Sequence, residues 1–378
     1  MKKKISAYWK AVIIILAAAV LLDLAAFSRK FCDLYIKYVY PHISDILGKI
    51  TAPIPFALGE VLAGAGIVVT VLIPIILLLL IFLRKKPGYR RFTAAYMKTY
   101  LYIIVSVFMS YTLNWIIPFR SSLLDGWEHT GKKYTSEQVL IIRNTYAEKL
   151  NALADMQQRD ENGAIVPMDR EEVMEKVGAA MNSISGEFPR LKGHYPPMKE
   201  AAISEILEYM WIGGYTYPYT MELTCNKYTD RFYFPVLYAH ESSHHRGYYQ
   251  ENEANFLSYV GCAASDDPFI AMAGCYRIFD KMDNEYWNFL MNNYDEDVAV
   301  AIYEQQPQVD PRIFEDRYAA LDEAQEKFDE DDHPLEEYSQ AAEDAAEKGW
   351  ETQAKVLKEN NYDGDMLLLL EYFDGRLY

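Results

Sequence analysis

A chain of 378 residues, 51% of them hydrophobic, is long enough for two domains and a sizeable core. Its formal charge of −17 is unevenly spread: residues 1–117 carry a net +10 and the remainder −27. An acidic globular remainder repels phosphate, which excludes nucleic acid as a partner.

The first third reads as a membrane domain, residues 1–119, with three transmembrane helices. Ala11 to Leu22 is apolar behind Lys2, Lys3, Lys4 and Lys10, Val61 to Leu83 runs without a charge, and Thr99 to Phe119 lies between Lys98 and Arg120. The latter two are long enough, at about 1.5 Å per residue, to cross a hydrocarbon core of about 30 Å. The first is shorter. It reads as a retained helix extending to Phe27, or as a signal peptide cleaved near Ala25 and Ala26. Pro74 and the Gly64-Ala65-Gly66 cluster in the second span mark either a kink with a close helix contact or, the preferred reading, an ordinary lipid-facing helix with a bend. No span carries a His or a carboxylate pair, so a proteolytic site inside the bilayer is not expected. Basic residues before the first span, and Arg84, Lys85, Lys86, Arg90, Arg91 and Lys98 between the second and third, place both segments on the cytoplasmic side. An odd number of spans then leaves residues 120–378 outside, with the lipid bilayer as the first partner.

Beyond the spans, residues Trp127 to Tyr134 form a polar lead-in. Thr135 with Gln138 is a capping box, and Val139, Leu140, Ile142, Tyr146, Leu150 and Leu153 recur at helical spacing as far as about Met156. Asp169 with Glu172 starts a second helix to about Ser183, and a Pro-rich connector follows it. A third helix is expected over Lys199 to Trp211. Gly213-Gly214 ends it, and Tyr215 to Thr220 is the one extended stretch, with Pro218 suiting an edge strand that substrate could join. Pro235 starts a helix through His240, a further helix runs to Ala264, and Asp266-Asp267-Pro268 opens another to about Met291. Asp329 to Asp332 breaks two solvated helices or binds calcium weakly, and Met366 to Leu370 docks on the core. Cys32, Cys225, Cys262 and Cys275 are too few for a disulfide scaffold and lack CxxC spacing. Cys262 and Cys275 are either a pair or buried free thiols.

The chemistry concentrates in His240-Glu241-Ser242-Ser243-His244. Two histidines four apart lie on one helix face, one turn above the other, so both imidazoles can converge on one ion. Glu241 sits about 100° round the helix, placed to serve as general base to water at the ion. Gly247 ends the helix and allows a following helix to bring a carboxylate back. The candidates for third ligand are Glu251 and Glu253, and Glu251 is preferred because Asn255 then falls one turn on, placed to hydrogen-bond a ligand imidazole. Zinc, Zn2+, is the expected cofactor. Candidates for substrate or oxyanion contact are His245, Tyr219, Tyr276 and Arg277.

These residues also carry a resemblance. Tyr217-Pro218-Tyr219-Thr220-Met221-Glu222, the His240 to His244 motif, Gly247 and Glu251-Asn252-Glu253-Ala254-Asn255-Phe256 resemble a bacterial membrane-protein family known as domain of unknown function 3810. Its members join a few N-terminal membrane helices to a domain with an HExxH motif. The Glu-x-x-Ala-Asn spacing is more distantly similar to that of gluzincin-type zinc peptidases, which implies Glu251 as third ligand. Family members usually carry Ala in place of Ser243 and Gln in place of His245, which here puts an extra imidazole beside the site.

The spans, the basic residues and the resemblance together lead to the expectation of a mainly α protein of the bacterial cell membrane: three N-terminal transmembrane helices, then a mostly helical zincin-like extracytoplasmic domain, 120–378, with a little strand. The expected function is a membrane-anchored metallopeptidase acting on a peptide or protein substrate. The alternatives are a non-catalytic binding or sensor module that keeps a zincin shell, and hydrolysis of a non-protein amide such as a cell-wall peptide linkage.

Overall fold

The computed structural model describes residues 5–127, 132–357 and 364–378. Lys2, Lys3 and Lys4 of the basic leader, and residues 128–131 of the expected lead-in, lie outside the described residues. The chain divides into two compact units: Met1–Ser122 with Tyr217–Glu222, and Leu123–Thr216 with Leu223–Tyr378.

In the first unit α1 (Ala7–Ala25) opens with the Ser6 hydroxyl accepting from Trp9 N. Two shorter helices follow, α2 (Arg29–Tyr38) and α3 (Tyr40–Thr51), in a stretch for which the sequence raised no expectation. Next come α4 (Leu58–Leu83) and α5 (Pro87–Tyr111). A π-helical stretch, Thr112–Ile116, and α6 (Ile117–Phe119) prolong α5 into a 33-residue rod. Three helices, Ala7–Ala25, Leu58–Leu83 and Pro87–Phe119, are long and apolar enough to cross a membrane, and they fit a membrane protein. Val61, Leu62, Ile67, Val68 and Val71 of α4 are all exposed. In water such a run would be a large sticky patch, whereas in lipid it is the expected outer face of a spanning helix. Tyrosine hydroxyls join the helices: Tyr89 donates to the Ile76 carbonyl at 2.9 Å and Tyr8 to that of Lys98 at 2.7 Å. With no hydrophobic drive between helices in lipid, such bonds and close packing hold a bundle together.

The tip Tyr217–Glu222 is bound into this same unit. Both oxygens of the Glu222 carboxylate accept main-chain N–H groups of α4, from Leu58 at 3.0 Å and Gly59 at 2.8 Å. An anion there satisfies orphan donors of the helix end and meets the positive end of its dipole. Asn114 donates to the Pro218 carbonyl at 2.8 Å. A side chain on Gly59 would overlap the Tyr217 ring, so only glycine allows this approach.

In the second unit α7 (Ser136–Met156) starts with the expected capping box of Thr135 and Gln138, and α8 (Arg170–Ser183) with Asp169 as its cap. The third expected helix is corrected: Met198–Glu200 is a strand, β1, and only α9 (Ser204–Tyr209) is helical. β1 pairs in parallel with β3 (Glu222–Cys225), Met198 opposite Leu223 and Glu200 opposite Cys225. That pairing is non-local, so local helix propensity could not reveal it. β2 (Gly214–Tyr217) completes a sheet of order β1-β3-β2, which leaves β2 at an edge.

The centre of the unit is α10 (Phe234–His245), α11 (Glu251–Ala263) and α12 (Pro268–Asn293), with α7 packed on α12 and α8 on α10 and α11. Ile142, Leu150, Met181, Leu257, Ile270 and Met282 are fully buried among them. Then come α13 (Glu296–Glu304), α14 (Pro311–Asp329), α15 (Ser339–Leu357) and α16 (Gly364–Phe373). Asp329 ends α14 as expected, and Leu368, Leu369 and Leu370 of α16 are buried. All four cysteines are buried free thiols, which corrects the pairing considered for Cys262 and Cys275.

Candidate metal centre

Pro235 in the first turn of α10 presets the backbone at the start of the helix, and His240 and His244 stand one turn apart near its other end. The helix stops in a Schellman motif. Gly247 has φ +95°, Gly247 N donates to the His244 carbonyl at 2.9 Å, and Tyr248 N donates to that of Ser243 at 2.9 Å. A residue with a Cβ resists that φ, so this glycine sets the reversal that returns the chain four residues later as α11. Glu251 is the first residue of α11 and comes back over the histidines.

The geometry suits a metal. His240 Nε2 lies 3.1 Å from His244 Nε2 and 3.3 Å from Glu251 Oε2, and His244 Nε2 is 3.7 Å from Glu251 Oε1. Three ligand atoms each about 2.0–2.1 Å from a tetrahedral zinc are about 3.3–3.4 Å apart, a value these separations bracket. Among the described residues this is the one group of three such side chains within reach of a single ion. The donor set of two imidazole nitrogens and one carboxylate oxygen is that of a catalytic zinc with a position left open. His240 and His244 keep 13% and 12% of their side chains accessible and Glu251 31%, so the cluster is lined by the domain yet open to solvent.

The rings are oriented from behind. His244 Nδ1 lies 2.8 Å from the Tyr248 carbonyl, so that nitrogen donates and Nε2 keeps its lone pair for an ion. Asn255, one turn along α11 from Glu251, is among the groups that raise the His240 imidazole. Electrostatics follow. Burial draws the His240 imidazole down, but the Glu251 hydrogen bond and charge, the Glu241 charge and Asn255 together hold it above its ordinary value. Burial pushes Glu251 up, and the His244 charge and the His240 hydrogen bond overturn this, bringing it down to about 2.

Glu241 faces otherwise. It is 4% exposed, and burial raises its carboxyl above the ordinary range, partly offset by His240, His244 and Thr216. Thr216 Oγ1 is 2.9 Å from Glu241 Oε2. A buried carboxylate beside a pair of imidazoles is a ready proton acceptor.

Glu253, the other candidate ligand, has a different task. Its Oε1 accepts Leu124 N at 2.6 Å, its Oε2 accepts Gln250 N at 3.2 Å, and Arg190 Nη2 lies 3.7 Å from Oε1. It is 2% exposed and closes the capping box of α11. Arg190 also donates to the Gly247 carbonyl at 2.6 Å and covers the Tyr248 ring at 3.7 Å, while Arg246 donates to the carbonyls of Arg190 and Lys192. These clamps hold the turn between the ligand helices.

Of the four expected substrate contacts, none belongs to the triad. His245, expected as an extra imidazole beside the site and a substrate or oxyanion contact, is fully buried. Tyr276 packs edge-on against Phe232 with Arg317 over its ring. Arg277 lies over the rings of Tyr233 and Tyr259. Tyr219 counts with the first unit, stacked on Tyr111. Sequence reasoning missed Thr216, Arg190 and the Tyr248 carbonyl, and it offered Arg246 as an oxyanion donor, whereas its guanidinium is engaged with the carbonyls of Arg190 and Lys192. No periodicity marks such groups, since each acts across a distance in sequence or through the main chain.

A family model described as Protein of unknown function (DUF3810) matches residues 35–355, and the chain belongs to that family. No curated protein and no solved structure matches it.

Proposed function

We propose that this member of the DUF3810 family is a membrane-anchored, zinc-dependent peptidase of zincin type, with residues 120–378 on the outer side of the membrane. The observation that carries the reading is the convergence of His240, His244 and Glu251 at zinc-like separations beside Glu241. When bound, the ion supplies Lewis acidity that activates water and polarises the scissile carbonyl. Glu241 accepts the proton of the attacking water and hands it to the leaving amine, which its raised affinity for protons favours. His244 is held in the ligating orientation by the Tyr248 carbonyl, and Asn255 is placed to do the same for His240. An extended substrate would lie along the edge strand β2, whose Thr216 contacts Glu241.

A non-catalytic sensor with the same shell has no use for Glu241. A carboxylate this buried, with no cation bonded to it, costs stability and is retained only for work. The test is elemental analysis of the purified full chain in detergent beside His244→Ala, followed by cleavage of a peptide library beside Glu241→Gln. About one zinc per chain, lost in His244→Ala, with cleavage abolished in a zinc-loaded Glu241→Gln, is the expected result. Full cleavage by Glu241→Gln would sink the mechanism.

A further inference from the structure

Glu241 is the one residue of this chemistry that must be aimed precisely without itself holding the ion. Its two oxygens are equivalent in the isolated side chain, and only one of them can serve the water. Thr216 breaks that equivalence. Its hydroxyl lies 2.9 Å from Glu241 Oε2 and 2.9 Å from the Glu241 main-chain oxygen. It reaches them from β2, 25 residues earlier in the chain, and is 9% exposed.

A hydroxyl carries one hydrogen and can also accept, so the two contacts are alternatives for its proton. Facing a carboxylate, Thr216 donates to Oε2, a charge-assisted bond in a water-poor setting. Facing a protonated Oε2, it accepts from that oxygen and turns its own hydrogen to the main-chain oxygen. The branched side chain has few rotamers, so the oxygen is held in place throughout.

We propose that Thr216 is a positioning residue for Glu241: it holds Oε2 and leaves Oε1 as the oxygen that faces the water. The proposal rests on the peptidase reading for its role in turnover, though not for the contact itself. The hydroxyl is what the bond requires, and the γ-carbon adds only stiffness. Valine removes only the first, and serine only the second.

The experiment uses the full chain in detergent, zinc-loaded, as wild type, Thr216→Val and Thr216→Ser. Thr216→Val is expected to lower kcat by about 10²-fold with KM and zinc content unchanged, because a misplaced general base costs rate rather than affinity. Thr216→Ser is expected to recover most of the loss. A second readout needs no turnover: the infrared carboxylate band of Glu241, isolated by subtracting the Glu241→Gln spectrum, should shift in Thr216→Val and return in Thr216→Ser. If Thr216→Val does not fold, Thr216→Ala is read in its place. An unchanged kcat with an unshifted band overturns the proposal, as does a kcat loss that serine does not relieve. If the wild type cleaves no peptide, the peptidase reading fails, while a shifted band still supports the hold on Glu241 and an unshifted one overturns it.

Discussion

The first turn of α11 carries two carboxylates in opposite circumstances. Glu253 points into the domain, 2% exposed, and takes main-chain N–H groups from Leu124 and Gln250 with Arg190 close by. Glu251, two residues earlier, points at two imidazoles and keeps nearly a third of its side chain accessible. One carboxylate is spent on holding the turn and the other is left available to an ion. The contrast teaches that a charged residue in a helix start is assigned by what faces it, since the helix presents the two on different sides.

The largest expected effect is at the base beside them. Glu241→Gln should lower peptide cleavage by about 10³-fold with zinc retained. In the zinc-free protein the same change should raise the melting temperature, since it removes a buried charge whose ionisation burial opposes. A fall in melting temperature would show that the carboxylate is structurally required.

Next come the two carboxylates themselves. Glu251→Gln should weaken zinc binding by more than the about 10–100-fold typical of an outer partner, with the fold intact. Glu253→Gln should do the reverse, keeping zinc affinity near wild type and costing about 3 kcal/mol of stability, because Arg190 then lacks its charge partner. Calorimetric titration with zinc and thermal melts of both variants decide this. If the two variants behave alike, the division of labour is wrong.

A smaller effect is expected from pH. In the zinc-free chain Glu251 has its carboxyl held down at about 2 against an ordinary 4.5, so its contribution is present above 4.5 and fades as pH falls towards 2. His240 has its imidazole held above an ordinary 6.5, so its contribution is present below 6.5 and is lost as pH rises through the folded value. Both act together between these limits. Melting curves against pH should therefore show a rise there that Glu251→Gln removes, and a flat profile in the wild type would contradict the pairing.

The smallest effect concerns the thiols. Cys262 and Cys275 are buried, and burial pushes the Cys275 thiol up to about 12. Native protein should resist alkylation at both, and a reductant should leave its melting temperature unchanged. Mass spectrometry after iodoacetamide treatment checks this, and rapid labelling of either cysteine would show that the α11–α12 contact opens.

Much of the helical framework was legible because its causes are local. The capping box at Thr135, the cap at Asp169, Pro235 at a helix start and Gly247 just past its end are each set by neighbours in sequence. The apolar spans are legible for the same reason, although α1 and the Pro87–Phe119 rod run longer than their uncharged cores. What failed was non-local. Met198–Glu200 became a strand because β3 lay ready to pair, and the tip Tyr217–Glu222 was drawn to the first unit by Leu58, Gly59 and Asn114, each more than a hundred residues away.

The sequence by itself determined that His240 and His244 share a face, since a helix of about 3.6 residues per turn allows nothing else. It also determined that Gly247 would end that helix. Only the tertiary structure decided which glutamate returns to the histidines, because Glu251 and Glu253 differ in their surroundings rather than in their chemistry. It alone buried His245 and brought Thr216 to Glu241, since side chains 25 residues apart meet only when a sheet edge and a helix are packed together.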